Sequence, residues 1–253
     1  AYFVISELLM LRGISYQELT WFLKRQKMPS LLPLKSIGVE IEANIRDREE
    51  LQTRMQEEGY HVNQTGYTGG TRGANEWRIS SDSSVRAKSG YHSLELVTPK
   101  LFGWTGLMKL RKVLSIWNNI GAEYNKSAGL HVHLDGYGVD SEFKKRLAFA
   151  WAKVEIPYLW YLISPSRRNN MYCKPVDEDY LCALESHVQG TGDRFRSLNF
   201  NAFRRHGTIE VRLFNCTTDF IKISAWIALL LMFFEAVKNG LTFRDIPEED
   251  FSG

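Results

Sequence analysis

The stretch Gly207-Thr208-Ile209-Glu210-Val211-Arg212-Leu213-Phe214 alternates between polar and apolar side chains over most of its length. In a β-strand, successive side chains point to opposite faces of the sheet. Glu210, Arg212 and Phe214 would therefore share one face, and the aliphatic residues between them would share the other. The pattern predicts a strand with a charged face and an apolar back.

Three other segments show the same alternation, at residues 37–43, 93–97 and 129–135. If all four strands belong to one sheet, they would present carboxylates, imidazoles and one arginine on a single surface above an apolar underside. We call this surface the charged face, and its residues are Glu40, Glu42, Glu95, His131, His133, Glu210 and Arg212.

Each alternating segment also has an ordinary explanation, because half-buried antiparallel strands commonly turn polar side chains to water. A water-facing sheet surface usually mixes Lys, Thr, Ser and Glu, whereas the charged face holds only carboxylates, imidazoles and one arginine. Close carboxylates repel one another unless a cation neutralises them. The residues therefore indicate a divalent metal site, and we expect the active site on the charged face.

The whole chain of 253 residues, with 44% hydrophobic and 24% charged residues, is typical of a soluble globular protein. Its formal charge of +3 does not favour nucleic acid as a partner. The cysteines Cys173, Cys182 and Cys216 are far apart and form no CxxC pair, so we predict neither a disulfide framework nor a cysteine zinc site. We expect a reducing, cytoplasmic location, no signal peptide and no membrane span, since the apolar run 225–234 is short for one.

The N-terminal part shows two helical patterns, at residues 6–12 and 16–26, separated by Gly13. A DNA-binding helix-turn-helix would need a base-reading helix, and none can be identified. We therefore predict that residues 1–33 form a helical hairpin that serves as a packing or docking appendage to a main domain over 34–253.

Capping and stop residues divide the main domain into further elements. The sequence predicts a helix from Asp47 to Glu58, a hairpin over 60–79 with a glycine-rich loop at 66–73, and a helix over 104–120. It further predicts a long helix from Asp140 to Pro157, a polar loop at 164–173, a helix over 178–188 and a strand over 194–201 that turns at 206–207. The last predicted element is a buried helix that Thr218 or Asp219 caps and that ends at Lys238.

The order of these motifs resembles the amidoligase family of carboxylate-amine ligases, which is related to glutamine synthetase and glutamate-cysteine ligase. The resemblance covers residues 36 to about 240 and leaves the predicted N-terminal hairpin outside. The matching residues are Gly38-Val39-Glu40-Ile41-Glu42, Trp77 with Asp82-Ser83-Ser84, Glu95 with Pro99, Gly129-Leu130-His131-Val132-His133, Arg168 with Tyr172-Cys173, Arg196-Ser197-Leu198-Asn199, and Thr208-Ile209-Glu210-Val211-Arg212.

The resemblance implies an α+β, glutamine-synthetase-like catalytic domain, with a curved, mainly antiparallel sheet and helices packed on one face. It also implies ATP and Mg²⁺, and a histidine ligand leaves Mn²⁺ open. On the matching positions, the implied metal ligands are Glu40, Glu42, Glu95, His131 and Glu210. The catalytic residues are Glu42, Asp82, Glu210 and Arg212. The nucleotide-binding residues are His133, Arg196, Asn199, Arg205 and Arg212. The substrate-binding residues are Arg167, Arg168 and Tyr172.

Three functions are compatible with these residues. The favoured one is an ATP-dependent ligase that joins a carboxylate to an amine through an acyl phosphate. A metal-dependent hydrolase could use the two histidines with Glu40 or Glu95, and it would cleave its substrate without ATP. A non-catalytic nucleotide-binding protein could dock partners through residues 1–30. The substrates could be glutamate, a peptide, a cell-wall fragment or a protein side chain, and the oligomeric state stays open.

Overall fold

The computed structural model describes residues 36–65, 75–168, 170–186 and 193–240. The predicted N-terminal hairpin and the glycine-rich loop lie outside these residues. The described strands are β1 (Ser36–Ile45), β2 (Val62–Thr65), β3 (Trp77–Ser81), β4 (His92–Val97), β5 (Leu101–Phe102), β6 (Gly129–Asp135), β7 (Leu198–Asn199) and β8 (Thr208–Asn215). The described α-helices are α1 (Arg48–Glu57), α2 (Gly103–Asn119), α3 (Ser141–Glu155), α4 (Pro165–Arg168), α5 (Glu178–Ser186), α6 (Asn201–His206) and α7 (Phe220–Lys238).

The strands form one open sheet in the order β2-β3-β4-β1-β6-β8-β7, and β5 pairs with the start of β1. Every pair in this sheet is antiparallel except β2 with β3. The predicted α+β class with a mainly antiparallel sheet is therefore confirmed. The four strands predicted from alternation are neighbours in the order β4-β1-β6-β8, so their polar faces form one surface.

The hairpin predicted over residues 60–79 is wrong, because β2 and β3 run parallel with Val62 opposite Trp77. Alternation determines to which face each side chain points, and it is the same whether two neighbouring strands run parallel or antiparallel. The relative direction of β2 and β3 depends instead on the connection between them and on β4, which pairs antiparallel with the other edge of β3.

Helix ends follow the predicted capping residues closely. The Asp47 carboxylate accepts from the backbone N–H groups of Glu49 and Glu50 at 2.9 Å each, and α1 begins after it. Asp219, one of two predicted caps for the last helix, caps α7 in the same way. The helix predicted to reach Pro157 instead ends at Glu155, although Ile156 after it still has helical dihedral angles. Pro157 has no backbone N–H with which to continue the helix.

Two further predictions, a loop and a strand, also need correction. The segment predicted as a polar loop at 164–173 contains the short helix α4. The strand predicted over 194–201 is limited to the two residues of β7, and α6 rather than a tight turn leads to β8. Gly207, the residue after α6, has a positive φ of 66°, which ends the helix before β8 begins. Asn199 and Glu210 are paired across β7 and β8.

The bulge in the β6–β8 pair changes the side-chain direction along β8. Leu130 pairs with Phe214 and Val132 pairs with Val211, so one residue of β6 lies opposite two residues of β8. Phe214, predicted on the charged face, instead stacks on Trp226 of α7 with ring centroids 4.8 Å apart. The bulge thus directs Phe214 into the core, whereas Arg212 lines the cavity over the charged face.

The apolar back of the sheet forms one core with the helices, and α2, α3 and α7 supply much of it. By length and composition alone, α7 could cross a membrane, but 61% of its most apolar window is buried inside the protein. It packs against α3 through Phe143 and Phe234, whose rings lie edge to face. The prediction of a buried core helix at this position is therefore confirmed.

Glu155, the last residue of α3, is a buried carboxyl group whose protonation affects the stability of the fold. Its side chain is 1% exposed, and its Oε2 accepts from the backbone N–H of Val176 at 3.0 Å. Burial raises the pKa of Glu155 to about 7, even though this hydrogen bond acts to lower it. The folded state therefore binds the proton more tightly than the unfolded state does. The stability that this proton contributes is full below pH 4.5 and is lost as the pH rises through about 7.

We expect Glu155→Gln to stabilise the protein relative to wild type as the pH rises from 5 to 8, by on the order of 3 kcal/mol over that range. Urea unfolding at several pH values measures the difference. Glu142→Gln on the exposed start of the same helix is the matched control and should leave the pH dependence unchanged. Parallel stability curves for Glu155→Gln and wild type would contradict the prediction.

Candidate active site

A cavity of about 840 Å³ lies over the charged face, and all seven residues of that face line it. Three cross-strand pairs bring them together: Glu42 with Glu95, Glu40 with His131, and His133 with Glu210. Residues paired across neighbouring strands have their Cβ atoms about 5 Å apart. The register of β4, β1, β6 and β8 therefore concentrates four carboxylates and two imidazoles in one place.

Glu40 lies at the centre of this group. Its Oε2 is 3.2 Å from His131 Nδ1, and its Oε1 is 3.1 Å from His133 Nε2. The His131 ring also lies 3.4 Å from Glu42 Oε1 and 3.5 Å from Glu210 Oε1. One imidazole thus contacts three carboxylates, and Glu40 joins the two histidines.

Charge crowding perturbs several of these carboxylates. Burial raises the pKa of Glu42, and burial together with the charge of Glu40 raises the pKa of Glu95 well above its usual range. Burial also acts to raise the pKa of Glu40, but the neighbouring imidazoles overcome it and hold the pKa well below its usual value. The group carries more negative charge than its own cations balance, which favours an added cation.

The donor atoms fit divalent metal ions. Ligand atoms of three overlapping groups lie within 4.8 Å of one another. These groups are Glu40 with His133 and Glu210, Glu40 with Glu95 and His131, and Glu42 with Asp82 and Glu95.

Within the first group, His133 Nε2 is buried and makes no hydrogen bond, although Glu40 Oε1 is only 3.1 Å away. The distance between the two atoms would allow a hydrogen bond, but their relative orientation does not. A shared cation therefore suits these two atoms better than a hydrogen bond. Carboxylate oxygens with one or two imidazole nitrogens suit Mg²⁺ or Mn²⁺. The metal-ligand roles stay a prediction.

Arg212 is held in the cavity wall by two contacts. Its Nη1 donates to Glu210 Oε1 at 2.5 Å, and its Nε donates to the backbone carbonyl of Tyr172 at 3.0 Å. Burial acts to lower the pKa of Arg212, but the carboxylate of Glu210 outweighs burial and raises it. The guanidinium therefore stays charged. The other oxygen of Glu210 accepts from Asn199 Nδ2 at 2.6 Å.

The segment from Ser80 to Ser84 forms the opposite wall, and Asp82 lies within it. The backbone N–H and the hydroxyl of Ser84 both donate to Asp82 Oδ1 at 2.7 Å. The chain that follows is anchored by Asn44, whose side chain donates to the carbonyl of Arg86 at 3.2 Å. These hydrogen bonds hold the Asp82 carboxylate close to Glu42 and Glu95.

The structure separates the other predicted site residues into two sets. Tyr172, Asn199 and Arg205 line the cavity, whereas Arg167, Arg168 and Arg196 do not. Arg196 instead pairs with Asp177 and with Asp193, the latter at 3.0 Å, and donates to the carbonyl of Pro175. Arg167 is 2% exposed and packs against Gly129 of β6, outside the cavity. The nucleotide-binding role of Arg196 and the substrate-binding role of Arg167 therefore gain no support from their positions.

Several lining residues were missed by the sequence analysis. They are Arg78, Ser80, Arg194, Phe195, Asn201 and His206. Alternation could have revealed Arg78 and Ser80, because these two residues alternate with Trp77 and Ile79, which are buried in β3. His206 is the last residue of α6, a helix that no sequence pattern predicted.

The chain was compared with protein families, curated proteins and solved structures. Residues 34–234 match a family model described as "putative amidoligase enzyme". No curated protein matches the chain. Eight chains among solved structures match it, and one is a glutamine synthetase of Plasmodium falciparum determined by cryo-electron microscopy. That match has 12% sequence identity and a TM-score of 0.37, and it covers 91% of this chain and 57% of the glutamine synthetase chain. The chain thus spans little more than half the length of that protein.

Proposed function

Because the chain belongs to the amidoligase family, we propose that it is an ATP-dependent ligase that joins a carboxylate to an amine through an acyl phosphate. The observation that carries this proposal is the convergence of Glu40, Glu42, Glu95 and Glu210 with two histidines and Arg212 in one cavity. Its volume of about 840 Å³ leaves room for a nucleotide and a second substrate.

Clustered carboxylates repel the phosphates of a nucleotide, so the proposal requires metal ions between them. The residues that would hold these ions are Glu40, Glu42, Glu95, His131 and Glu210. Bound Mg²⁺ or Mn²⁺ would neutralise phosphate charge and so lower the barrier to phosphoryl transfer.

Arg212 would stabilise the charge that develops on the transferred phosphoryl group. Its contacts with Glu210 and the Tyr172 carbonyl hold the guanidinium in place before any substrate binds. A donor that needs no reorganisation during the reaction contributes most to stabilising a transition state.

The proposed reaction places the phosphate acceptor on the substrate, and no cysteine among the described residues lines the cavity as an alternative nucleophile. A substrate carboxylate oxygen would attack the γ-phosphorus of ATP, and ADP would leave. An amine would then attack the carbonyl carbon of the acyl phosphate, lose a proton and release inorganic phosphate. An aromatic pair, Tyr172 and Phe195 with ring centroids 5.5 Å apart, lines the same cavity and would help to exclude water.

We expect the purified protein, given Mg²⁺, ATP, hydroxylamine and a suitable carboxylate, to release ADP and phosphate and to form a hydroxamate. Hydroxylamine replaces the unknown amine, so only carboxylates need to be screened. Chelation of the metal is the control and should stop both products. Formation of AMP and pyrophosphate would contradict the acyl phosphate, and cleavage of substrates without nucleotide would favour the metal-dependent hydrolase.

A further inference from the structure

Arg167 is a buried cation next to the proposed site but outside its cavity. Its side chain lies in α4 and is 2% exposed. Among the described residues, no carboxylate lies within ion-pair distance of it, and its Nε makes no hydrogen bond. A buried charge is costly unless other charges or hydrogen bonds compensate it. The buried charge of Arg167 must therefore be compensated by groups that lie beyond ion-pair distance.

Two contacts connect Arg167 with the strands of the charged face. Its Nη2 donates to the backbone carbonyl of Arg212 at 2.6 Å. Its guanidinium also packs on Gly129, where an added Cβ would lie only 2.8 Å from Nη2. The N–H of Gly129 in turn donates to Glu42 Oε2 at 2.6 Å. One side chain thus supports Arg212 on β8 and, through Gly129 of β6, Glu42 on β1.

The charge of Arg167 has a natural counterpart in Glu42. The carboxylate of Glu42 is 3% exposed and belongs to a group with excess negative charge. Burial raises its pKa, and Arg167 is one of the charges that oppose this rise. The guanidinium remains protonated at any working pH, so it is a permanent positive charge near the carboxylates.

We propose that Arg167 is a positioning residue that holds Glu42 and Arg212 in place and offsets the negative charge of the metal-ligand group from its position beside Gly129. This inference rests on the proposed function, in which a metal ion offsets the same charge from within the cavity. The metal and Arg167 would then partly substitute for each other, and Arg167 would matter most when no metal is bound.

The test is thermal unfolding of wild type, Arg167→Met and Arg167→Lys with and without saturating Mn²⁺. Methionine keeps the apolar stem and loses the charge, whereas lysine keeps the charge. We expect Arg167→Met to lower the metal-free Tm by about 10 °C and the metal-saturated Tm by less than half as much. Arg167→Lys should recover most of the metal-free loss. The control is Lys222→Met, which removes an exposed cation of α7 and should shift both Tm values equally.

An equal loss with and without Mn²⁺ would show that Arg167 only fills space, and it would overturn the proposal. If Arg167→Met does not fold under either condition, the lysine variant decides, because a loss of 10 °C or more with lysine would also overturn it. Combining Arg167→Met with Glu42→Gln gives a second test, which needs no metal. In the metal-free protein, Arg167→Met should lower the Tm of Glu42→Gln by less than half of its effect in wild type.

The outcomes separate this inference from the proposed function. If Mn²⁺ fails to raise the Tm of wild type, the metal site of the proposed ligase is contradicted. The coupling between Arg167 and Glu42 would still be measured in the metal-free protein, and additive losses there would overturn the role of Arg167.

Discussion

Arg212→Ala is expected to lower the rate of ATP-dependent hydroxamate formation by about a thousandfold. The guanidinium is the charged donor that two contacts hold on the charged face, at 2.5 Å from Glu210 Oε1 and 3.0 Å from the Tyr172 carbonyl. Water entering the space left by the side chain would have to reorganise as charge develops on the phosphoryl group. The measurement is hydroxamate release at saturating ATP and carboxylate.

Two further variants separate a catalytic effect from a loss of structure. Arg212→Lys keeps the charge but lacks the fork that reaches both partners, so an intermediate rate is expected. Lys112→Ala removes an exposed cation of α2, which pairs with Glu58, and should leave the rate unchanged. If Arg212→Ala keeps its Tm and loses less than tenfold in rate, Arg212 does not serve phosphoryl transfer.

Glu40→Gln is expected to weaken Mg²⁺ or Mn²⁺ binding by about a hundredfold or more. Glu40 belongs to two of the three candidate metal groups and lies within 3.2 Å of both histidines. The amide has nearly the same shape, but it is neutral and offers only one oxygen. The change therefore removes charge and a ligand atom with little change in packing.

Isothermal calorimetry with each metal in turn measures this loss. Glu123→Gln is the matched control, because Glu123 is an exposed acid that pairs with Lys88 away from the cavity. It should leave the affinity unchanged. Metal affinity in Glu40→Gln within threefold of wild type would rule out Glu40 as a ligand.

Much of the site could be predicted because side-chain direction in a strand is a local property. The alternation at 37–43, 93–97, 129–135 and 208–213 placed each carboxylate and histidine on the correct side of its own strand. The structure adds which residues meet across strands, such as Glu40 with His131 and His133 with Glu210. That register depends on contacts between distant parts of the chain, and a period of two residues does not encode it.

The errors share one physical cause. The parallel pairing of β2 and β3, the bulge that directs Phe214 toward Trp226, and the helix α6 all depend on how neighbouring elements pack. Arg196 and Arg167 were expected to bind ligands, and arginine does suit phosphates and carboxylates. In the structure Arg196 pairs with aspartates, and Arg167 packs on Gly129 and donates to the carbonyl of Arg212. Residue type indicates what a side chain can bind, and packing decides what it reaches.

The sequence by itself determined the faces of four strands, the cap at Asp47, and the crowding of acids and imidazoles on one side of a sheet. These features follow from backbone geometry and from the hydrogen bonds of residues close in sequence. Only the tertiary structure decided that Glu40 joins both histidines, that a bulge separates Arg212 from Phe214, and that Arg167 packs on the glycine whose N–H donates to Glu42. The physical reason is that a buried charge is balanced by groups brought near it by folding, wherever those groups stand in the chain.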